Sequence, residues 1–403
     1  MTQFNVSSTM KEIMAAYYLE AKNASYNNTP VAWITSGAPV EFLYSMGVIP
    51  VYPENYAPMC AITRVSKDLI EVSEAAGYSM DVCSYARTNI GVDMTQGGPI
   101  MGLPKPDMLI VGTNICHTVV NWFEIHARKY NVPMYMIDMP FLHDGMTQDA
   151  KDYVVKQFYG LQDFLSRTLK KPFDKDKFRE TLILAGETSA LWKKILEIGK
   201  KKPSPINSFD TFIHLAPIVT LRGTQRAVDY YRQFYDELVD RSNKGIGSIQ
   251  HERIRLLWDN LPIWYKMKYL SEMLGNRGAA LVVSTYTNSW AAIEGDIDIS
   301  LDEAKAYDEL ARAYLSPYIN RDFNYRIEYL VNLIKEFSLD GIVFHSDRSC
   351  KPYSIGQYLI KEEVTKRTGK PCLIIEADMN DPRMFSDAQV ETRVEAFLEG
   401  FEK

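Results

Sequence analysis

The five cysteines of this chain are its residues with the most distinctive chemistry: Cys60, Cys83, Cys116, Cys350 and Cys372. Their number is odd and no export signal is visible at the start of the sequence, so a disulfide framework is not expected. Three interpretations stay open on cysteine chemistry alone. The thiols are buried structural groups, a reactive thiol, or metal ligands, and free cysteine is among the most buried residue types.

Cys116 and Cys350 occupy equivalent positions relative to the elements that their surroundings predict. Cys116 follows the apolar run MLIVGTN (108–114) and precedes a helical stretch, and Cys350 follows GIVFHSDR (341–348) and precedes a helix beginning near Tyr353. Each is therefore predicted at the carboxyl end of a parallel strand and the amino end of a helix. Ligands of open α/β sheets bind there, and a helix N-terminus favours thiolates and other anions.

Cys83 lies in the polar stretch MDVCSYARTNIG (80–91), with Arg87 one helical turn later. Its separation from Cys116 and Cys350 is long-range, unlike the tight CxxC runs of ferredoxins and zinc sites. Spacing alone therefore does not decide between a metal site and unrelated thiols. Zinc would usually need a fourth protein ligand, for which His117 and His345 are candidates, although each could equally be a structural polar residue.

Cys60 and Cys372 are expected to have structural roles. Cys372 opens the apolar run CLIIEA (372–377), which predicts core packing. Cys60 follows Met59 in a stretch that resembles a loop.

Ser36 and Glu54 are the candidates for acid–base and hydrogen-bonding chemistry. Ser36 ends the β-rich run VAWITSG (31–37), and Glu54 follows the next one, VIPVYP (48–53). Carboxyl ends of parallel strands lie on one edge of a sheet, so both side chains could face one cleft. A carboxylate there can transfer a proton, and a serine can hydrogen-bond a reacting oxygen. The structural alternative is a serine in a βα turn and a glutamate in an exposed loop.

The elements that must position these residues form three successive parts of the chain. Short apolar runs alternate with amphipathic helical stretches in residues 1–148 and again in 275–403, whereas the pattern of 149–274 is almost wholly helical. We therefore predict an α/β fold with two lobes. Each lobe has a parallel-sheet core of the Rossmann or flavodoxin-like kind, and the helical segment joins them.

Composition excludes several classes of function. The 403 residues suggest two or three domains. The net charge is −6 with acidic and basic residues mixed, which lacks the basic stripe of a nucleic-acid-binding protein. No apolar run approaches the roughly 18 residues of a membrane helix, and the first residues read as an amphipathic helix rather than a signal peptide. We expect a cytoplasmic protein without membrane or nucleic-acid partners.

Seven sequence stretches together resemble a known family. They are GAPVEFLYSMGVIPVYPE (37–54), GYSMDVCSYARTNIG (77–91), GTNICHTVVNWFE (112–124), MPFLHDG (139–145), RGTQRAVDYY (222–231), SDRSCKPYSIGQ (346–357) and EADMNDPRMFS (376–386). In these stretches the chain resembles the subunits of 2-hydroxyacyl-CoA dehydratases and benzoyl-CoA reductases, most of all the catalytic alpha subunit of the dehydratases.

The resemblance implies a cofactor, a ligand set and partners. It implies one [4Fe-4S] cluster per chain, held by Cys83, Cys116 and Cys350, with one iron lacking a protein thiolate. It places Ser36 and Glu54 at the reacting centre. It also implies a heterodimer with a homologous second subunit and an ATP-dependent iron–sulfur activator protein. The chain has no GxxxxGK[ST] phosphate-binding loop, which fits an activator on another polypeptide.

The reaction implied by the resemblance is removal of water from a 2-hydroxyacyl-CoA to give the 2-enoyl-CoA. The C3 proton of the substrate is not acidic, and one-electron reduction of the thioester to a ketyl radical overcomes this difficulty. The acyl chain is not predicted. One alternative is a benzoyl-CoA-type reductase, which would need no acid–base group such as Glu54 for a leaving hydroxyl. Another is a cluster-carrying electron-transfer protein without substrate chemistry. A protein ligand that occupies the open iron would support this alternative.

Weaker candidates for contact with the cluster are His117, Arg87, Arg348 and Gln357, for which structural roles are equally open. Asp378 and Arg383 are expected to form a structural turn.

Overall fold

The computed structural model describes residues 2–291 and 303–402 and contains two four-stranded parallel sheets. Its strands are β1 Val31–Ile34, β2 Ile49–Val51, β3 Met108–Gly112, β4 Met134–Ile137, β5 Ile254–Asp259, β6 Ala279–Ser284, β7 Gly341–Asp347 and β8 Cys372–Ala377. The first sheet has the order β2-β1-β3-β4 and the second the order β6-β5-β7-β8. The predicted architecture of two parallel-sheet lobes is confirmed.

Helices surround both sheets and fill the part of the chain between them. They are α1 Val6–Asn23, α2 Glu41–Ser45, α3 Pro53–Ile62, α4 Ser66–Ala75, α5 Ser84–Thr95, α6 His117–Tyr130, α7 Gln148–Leu169, α8 Lys175–Glu197, α9 Ser208–His214, α10 Ala216–Thr220, α11 Gln225–Asn243, α12 Met267–Asn276, α13 Thr285–Asn288, α14 Glu303–Leu315, α15 Phe323–Glu336, α16 Lys351–Ser354, α17 Gln357–Thr368 and α18 Asp387–Glu399. Short 3-10 turns lie at Pro99–Met101, Ile198–Lys200, Trp264–Lys266, Tyr318–Asn320 and Pro382–Met384. Within the described residues, no helix combines the length and apolar character required to cross a bilayer.

The two sheets share one strand order, and this order determines where a site can form. In each sheet the first strand along the chain lies between the second and the third. Chain connections leave the carboxyl ends of β1 and β3, and likewise of β5 and β7, in opposite directions. The resulting crevice is where open parallel sheets bind ligands.

Strand β5 lies inside the range 149–274, for which the sequence pattern predicted helices. It pairs with both β6 and β7, and all six of its residues are buried. A parallel strand in the middle of a sheet is buried on both faces, so its residues need not alternate between apolar and polar. The buried Arg255 and Asp259 of this strand also interrupt its apolar run. The helical interpretation was wrong for this element, and the domain limits at 148 and 274 stay predictions.

One hydrophobic core extends through both lobes. Trp33 and Val111 of the first sheet belong to the same buried cluster as Trp258 and Val343 of the second. Close-packed cores of this kind deform little. The shared core therefore fixes the two crevices relative to each other.

Candidate active site

The five residues selected from the sequence line a single cavity between the lobes. Cys83, Cys116 and Cys350 contribute to its wall, as do Ser36 and Glu54. The cavity volume is about 140 Å³. Side chains that are far apart in the chain are thus brought together at the predicted sheet edges.

Each of the three cysteines is the residue that immediately precedes a helix. Cys83 precedes α5, Cys116 precedes α6 and Cys350 precedes the short α16. Backbone N–H groups of the following turn lower the pKa of these thiols: those of Tyr85 and Ala86 for Cys83, those of Thr118 and Val119 for Cys116, and that of Tyr353 for Cys350. Such N–H donors stabilise a thiolate more than a neutral thiol.

Burial acts in the opposite direction on these thiols. It raises the pKa of Cys83, Cys116 and Cys350, and the pKa of Cys350 is raised further by Asp347 and by the other two thiols. Three half-buried thiols that repel one another as anions ionise more readily with a cation between them. The donor set therefore fits metal ligation, because metals bind the thiolate form.

The arrangement does not fit a single metal ion. In the described part of the chain, no group of three or more His, Cys, Asp and Glu side chains is close enough to hold one ion. Zinc–sulfur bonds are about 2.3 Å, so the ligands of one ion must nearly touch. A multi-iron cluster binds each thiolate on a different iron and so accepts ligands that lie further apart. Three thiols in one cavity wall are the type of donor that iron–sulfur clusters use.

The loops carrying Cys83 and Cys350 are joined directly. The backbone N–H of Ser84 donates to Ser349 Oγ at 3.1 Å, across 265 residues of chain. Asp347 Oδ1 in turn accepts hydrogen bonds from the backbone N–H groups of Ser349 and Cys350 at 2.9 and 3.0 Å. Sequence reasoning missed Asp347, although an Asp three residues before a cysteine at a strand end is a signal for an Asx-type turn.

Arg87 has a structural role in the described residues rather than a place in the cavity wall. Its buried guanidinium pairs with Glu74 and, at 3.2 Å, with Asp381. Arg383 pairs with the same two carboxylates. The predicted turn is present too, because Asp378 Oδ1 accepts the backbone N–H of Asp381 at 2.9 Å. This network fastens the helix that follows Cys83 to the second lobe.

The other weak candidates lie outside the cavity wall. His117 and Arg348 are exposed. His345 is buried with its Nδ1 2.7 Å from the carbonyl oxygen of Leu261, and Gln357 donates to the carbonyl oxygen of His345 at 2.9 Å. No described histidine lines the cavity. The histidine ligand that would have favoured a purely electron-transferring protein is therefore not found among the described residues.

Ser36 and Glu54 meet as their positions after adjacent strands predicted. Ser36 lies in the turn after β1, and Glu54 lies in the first turn of α3, just after β2. The backbone N–H of Ser36 donates to Glu54 Oε2 at 2.7 Å. Burial raises the pKa of Glu54 to about 7, and its hydrogen bonds with Ser36 oppose this rise. Near neutral pH the carboxyl group is therefore available in both protonation states.

The rest of the cavity wall is largely apolar and aromatic, which the sequence did not reveal. Its members include Ile115, Val119, Trp122, Val219, Leu261, Tyr286, Trp290, Tyr314, Ile319, Tyr353 and Met379. Arg222 is the one cation among the described lining residues. Its Nε lies 3.2 Å from Glu41 Oε1, and the hydroxyl of Tyr314 donates to Glu41 Oε2 at 2.7 Å. The cavity thus presents an apolar surface with few polar groups, as small-molecule sites commonly do.

Cys60 and Cys372 lie away from this cavity. Cys60 is fully buried within α3, so the expectation of a loop at this position was wrong. Pro58 inside the helix is the reason that the stretch resembled a loop. Cys372 begins β8, where the hydroxyl of Thr365 is 3.4 Å from its sulfur.

Comparison with known proteins gives a consistent family. A family model described as 2-hydroxyglutaryl-CoA dehydratase, D-component, matches residues 35–401. The chain is 32% identical to the (R)-2-hydroxyisocaproyl-CoA dehydratase alpha subunit of Clostridioides difficile, over 98% of this chain and 95% of that protein. It is 31% identical to the (R)-phenyllactyl-CoA dehydratase alpha subunit of Clostridium sporogenes, over 97% and 94%. It is 32% identical to one subunit of the benzoyl-CoA reductase of Thauera aromatica, over 89% and 85%.

Proposed function

We propose that this chain, which belongs to the family described as 2-hydroxyglutaryl-CoA dehydratase, D-component, is the cluster-holding subunit of a 2-hydroxyacyl-CoA dehydratase. This hydro-lyase would convert a 2-hydroxyacyl-CoA to the 2-enoyl-CoA. The observation that carries the proposal is the meeting of three half-buried cysteines with the Ser36–Glu54 pair in one cavity.

Cys83, Cys116 and Cys350 would hold one [4Fe-4S] cluster per chain. When bound, this group supplies an iron without a protein thiolate, as a Lewis acid for the thioester oxygen, and the capacity to exchange one electron. The protein's own contribution is to join the loops of Cys83 and Cys350 through the Ser84–Ser349 hydrogen bond and to favour the thiolates through backbone N–H groups that lower their pKa. The apolar wall excludes water from the reacting centre.

Glu54 would take the C3 proton of the substrate, and Ser36 would position the substrate oxygens. The Ser36 N–H favours the carboxylate form of Glu54, which is the form that accepts a proton. The Ser36 hydroxyl can donate to the 2-hydroxyl or the thioester oxygen. The ketyl-radical route and the ATP-dependent activator that delivers the first electron are parts of this proposal.

A homologous second subunit is proposed as the stable partner. Two of the relatives are named alpha subunits, which supports an assembly with an unlike chain. The cytoplasm is the proposed location.

We further propose that the acyl chain is uncharged. The described wall of the cavity is apolar and aromatic, and its one cation, Arg222, is already paired with buried Glu41. A carboxylate on the acyl chain would find no unpaired cation among the described lining residues and would lose its hydration. Apolar chains, by contrast, gain from burial.

A benzoyl-CoA-type reductase is the second candidate, because one reductase chain is as similar to this protein as the dehydratase alpha subunits are. Glu54 favours the dehydratase. Dearomatisation abstracts no C3 proton from a saturated acyl chain, so it needs no carboxylate as the acceptor of that proton.

An activity assay separates these candidates. The chain is purified without oxygen together with its partner subunit and supplied with activator, ATP and a reductant. The substrates are (R)-2-hydroxyisocaproyl-CoA, (R)-2-hydroxyglutaryl-CoA and benzoyl-CoA. We expect enoyl-CoA from the first substrate, with a higher kcat/KM than from the second, and no reduction of the third. Reduction of benzoyl-CoA alone would replace the proposal with the reductase, and no turnover of any substrate would refute both.

A further inference from the structure

A second cavity adjoins the one that holds the cysteines. Its volume is about 460 Å³, and Ser289 lines both cavities. Its wall carries four cationic side chains and two carboxylates: Lys193, Lys200, Arg312, Arg321, Glu197 and Glu336. We call it the basic cavity. The excess of cations is local, because the whole chain has a net charge of −6.

Arg321 is the most informative residue of the basic cavity. It is only 8% exposed, and it forms no ion pair with any described carboxylate. Its buried Nε has no hydrogen-bond partner in the described structure. The guanidinium lies 4.5 Å from the ring centroid of Tyr325. A buried, uncompensated cation is strongly unfavourable unless an anion completes its surroundings.

Two further polar atoms in the same wall are unsatisfied. The Tyr318 hydroxyl and Asn288 Oδ1 are buried without hydrogen-bond partners among the described residues. Buried polar groups in native proteins are nearly always bonded, so three orphan atoms around one cavity indicate a ligand or ordered water in it. Arg321 and Tyr318 are donors, which favours a ligand rich in acceptor oxygens.

Lysine side chains add charge at the rim. Lys200 is 3.1 Å from Glu336 and is thereby partly neutralised. Lys193, on the exposed face of α8, pairs with no described carboxylate. Arginine and lysine together are the usual partners of phosphate groups.

We propose that the basic cavity binds the phosphate groups of the coenzyme A part of the substrate, with Arg321 and Tyr318 donating to phosphate oxygens. This assignment rests on the proposed function, because it requires a CoA thioester. The acyl end would then enter the cysteine cavity past Ser289, which lies where the two cavities adjoin.

Calorimetric titrations on the anaerobically purified enzyme test the site without requiring turnover. The ligands are CoA, dephospho-CoA, pantetheine, ADP and inorganic phosphate. The variants are Arg321→Gln and Lys193→Gln. The matched control is Lys194→Gln, which changes an exposed lysine on the same helix that does not line the cavity.

We expect Arg321→Gln to raise the Kd of CoA by about 10- to 100-fold, as loss of a charge-assisted hydrogen bond does. Lys193→Gln should raise it by a few-fold, and Lys194→Gln should leave it within about 2-fold. Pantetheine, which lacks the nucleotide phosphates, should bind all four proteins alike. CoA should bind more tightly than ADP or free phosphate.

Two results would overturn the assignment. One is a wild-type Kd for CoA in both cavity variants; should Arg321→Gln fail to fold, Lys193→Gln against Lys194→Gln decides alone. The other is equal affinity for CoA and free phosphate, which would make the cavity a general anion site. The protein could instead bind CoA in an Arg321-dependent way and dehydrate no 2-hydroxyacyl-CoA. That result would support the CoA site and refute the proposed function.

Discussion

Replacing Glu54 with Gln should lower kcat by about 10²- to 10⁴-fold, the usual contribution of a general acid or base. Gln keeps the size of the side chain and can still accept the Ser36 N–H, which is 2.7 Å from Oε2 in the wild type. It cannot accept a proton. Because Glu54 lines the cavity without being a proposed ligand, the iron content should stay that of the wild type.

The pH profile gives the same prediction a second readout. The pKa of Glu54 is raised to about 7 by burial, and the proton acceptor must be the carboxylate. Wild-type kcat/KM should therefore fall as the pH is lowered through about 7, where the carboxylate becomes protonated. The residual activity of Glu54→Gln should lack this acid limb.

Glu180→Gln is the control, because Glu180 is an exposed glutamate on α8 that pairs with exposed Lys177, 2.7 Å away, and does not line the cavity. It should leave kcat and the pH profile unchanged. A Glu54→Gln enzyme with wild-type kcat would remove Glu54 from the chemistry. Loss of iron in that variant would instead assign it a structural role.

Replacing Arg222 with Met should lower the free energy of unfolding by about 3–5 kcal/mol, the usual effect of breaking a buried ion pair. Arg222 and Glu41 are both buried, 3.2 Å apart from Nε to Oε1. Without the guanidinium, Glu41 keeps only the Tyr314 hydroxyl at 2.7 Å. The uncompensated carboxylate is unfavourable because it has lost its hydration. The urea midpoint of unfolding, followed by tryptophan fluorescence, measures the effect.

The double variant Arg222→Met with Glu41→Met provides the comparison. Removing both charges should restore much of the lost stability, since buried pairs often exchange for apolar residues without loss. Equal midpoints for the single and double variants would mean that the unpaired carboxylate is not the cause. A wild-type midpoint for Arg222→Met would mean that the pair contributes nothing.

The sequence predicted those parts of the fold that local patterns determine. Strands β1, β3 and β7 are short apolar runs bounded by turn residues and followed by amphipathic helices, and such runs are recognisable. Strand β5 was missed because burial on both faces removes the alternation. This segment forms a strand because it pairs with β6 and β7, and β7 lies far from it in the chain.

For the candidate site, the strand–helix junctions located Cys116 and Cys350, and the edge of the first sheet located Ser36 and Glu54. Cys83 follows no strand, so its place beside the others depends on contacts between the lobes, such as the Ser84–Ser349 hydrogen bond. Arg321 carried no sequence signal at all. Its importance comes from burial without a partner, which only tertiary packing creates.

Iron and acid-labile sulfide per chain, measured on protein purified without oxygen, test the central claim most directly. The proteins are the wild type, Cys116→Ala and Cys60→Ala, since Cys60 is a buried thiol outside the cavity. We predict about four irons and four sulfides per wild-type chain, as in one [4Fe-4S] cluster. Cys116→Ala should lose them, and Cys60→Ala should keep them. An anaerobic wild type without iron, or equal iron in all three proteins, would contradict the assignment of the cysteine cavity as a cluster site.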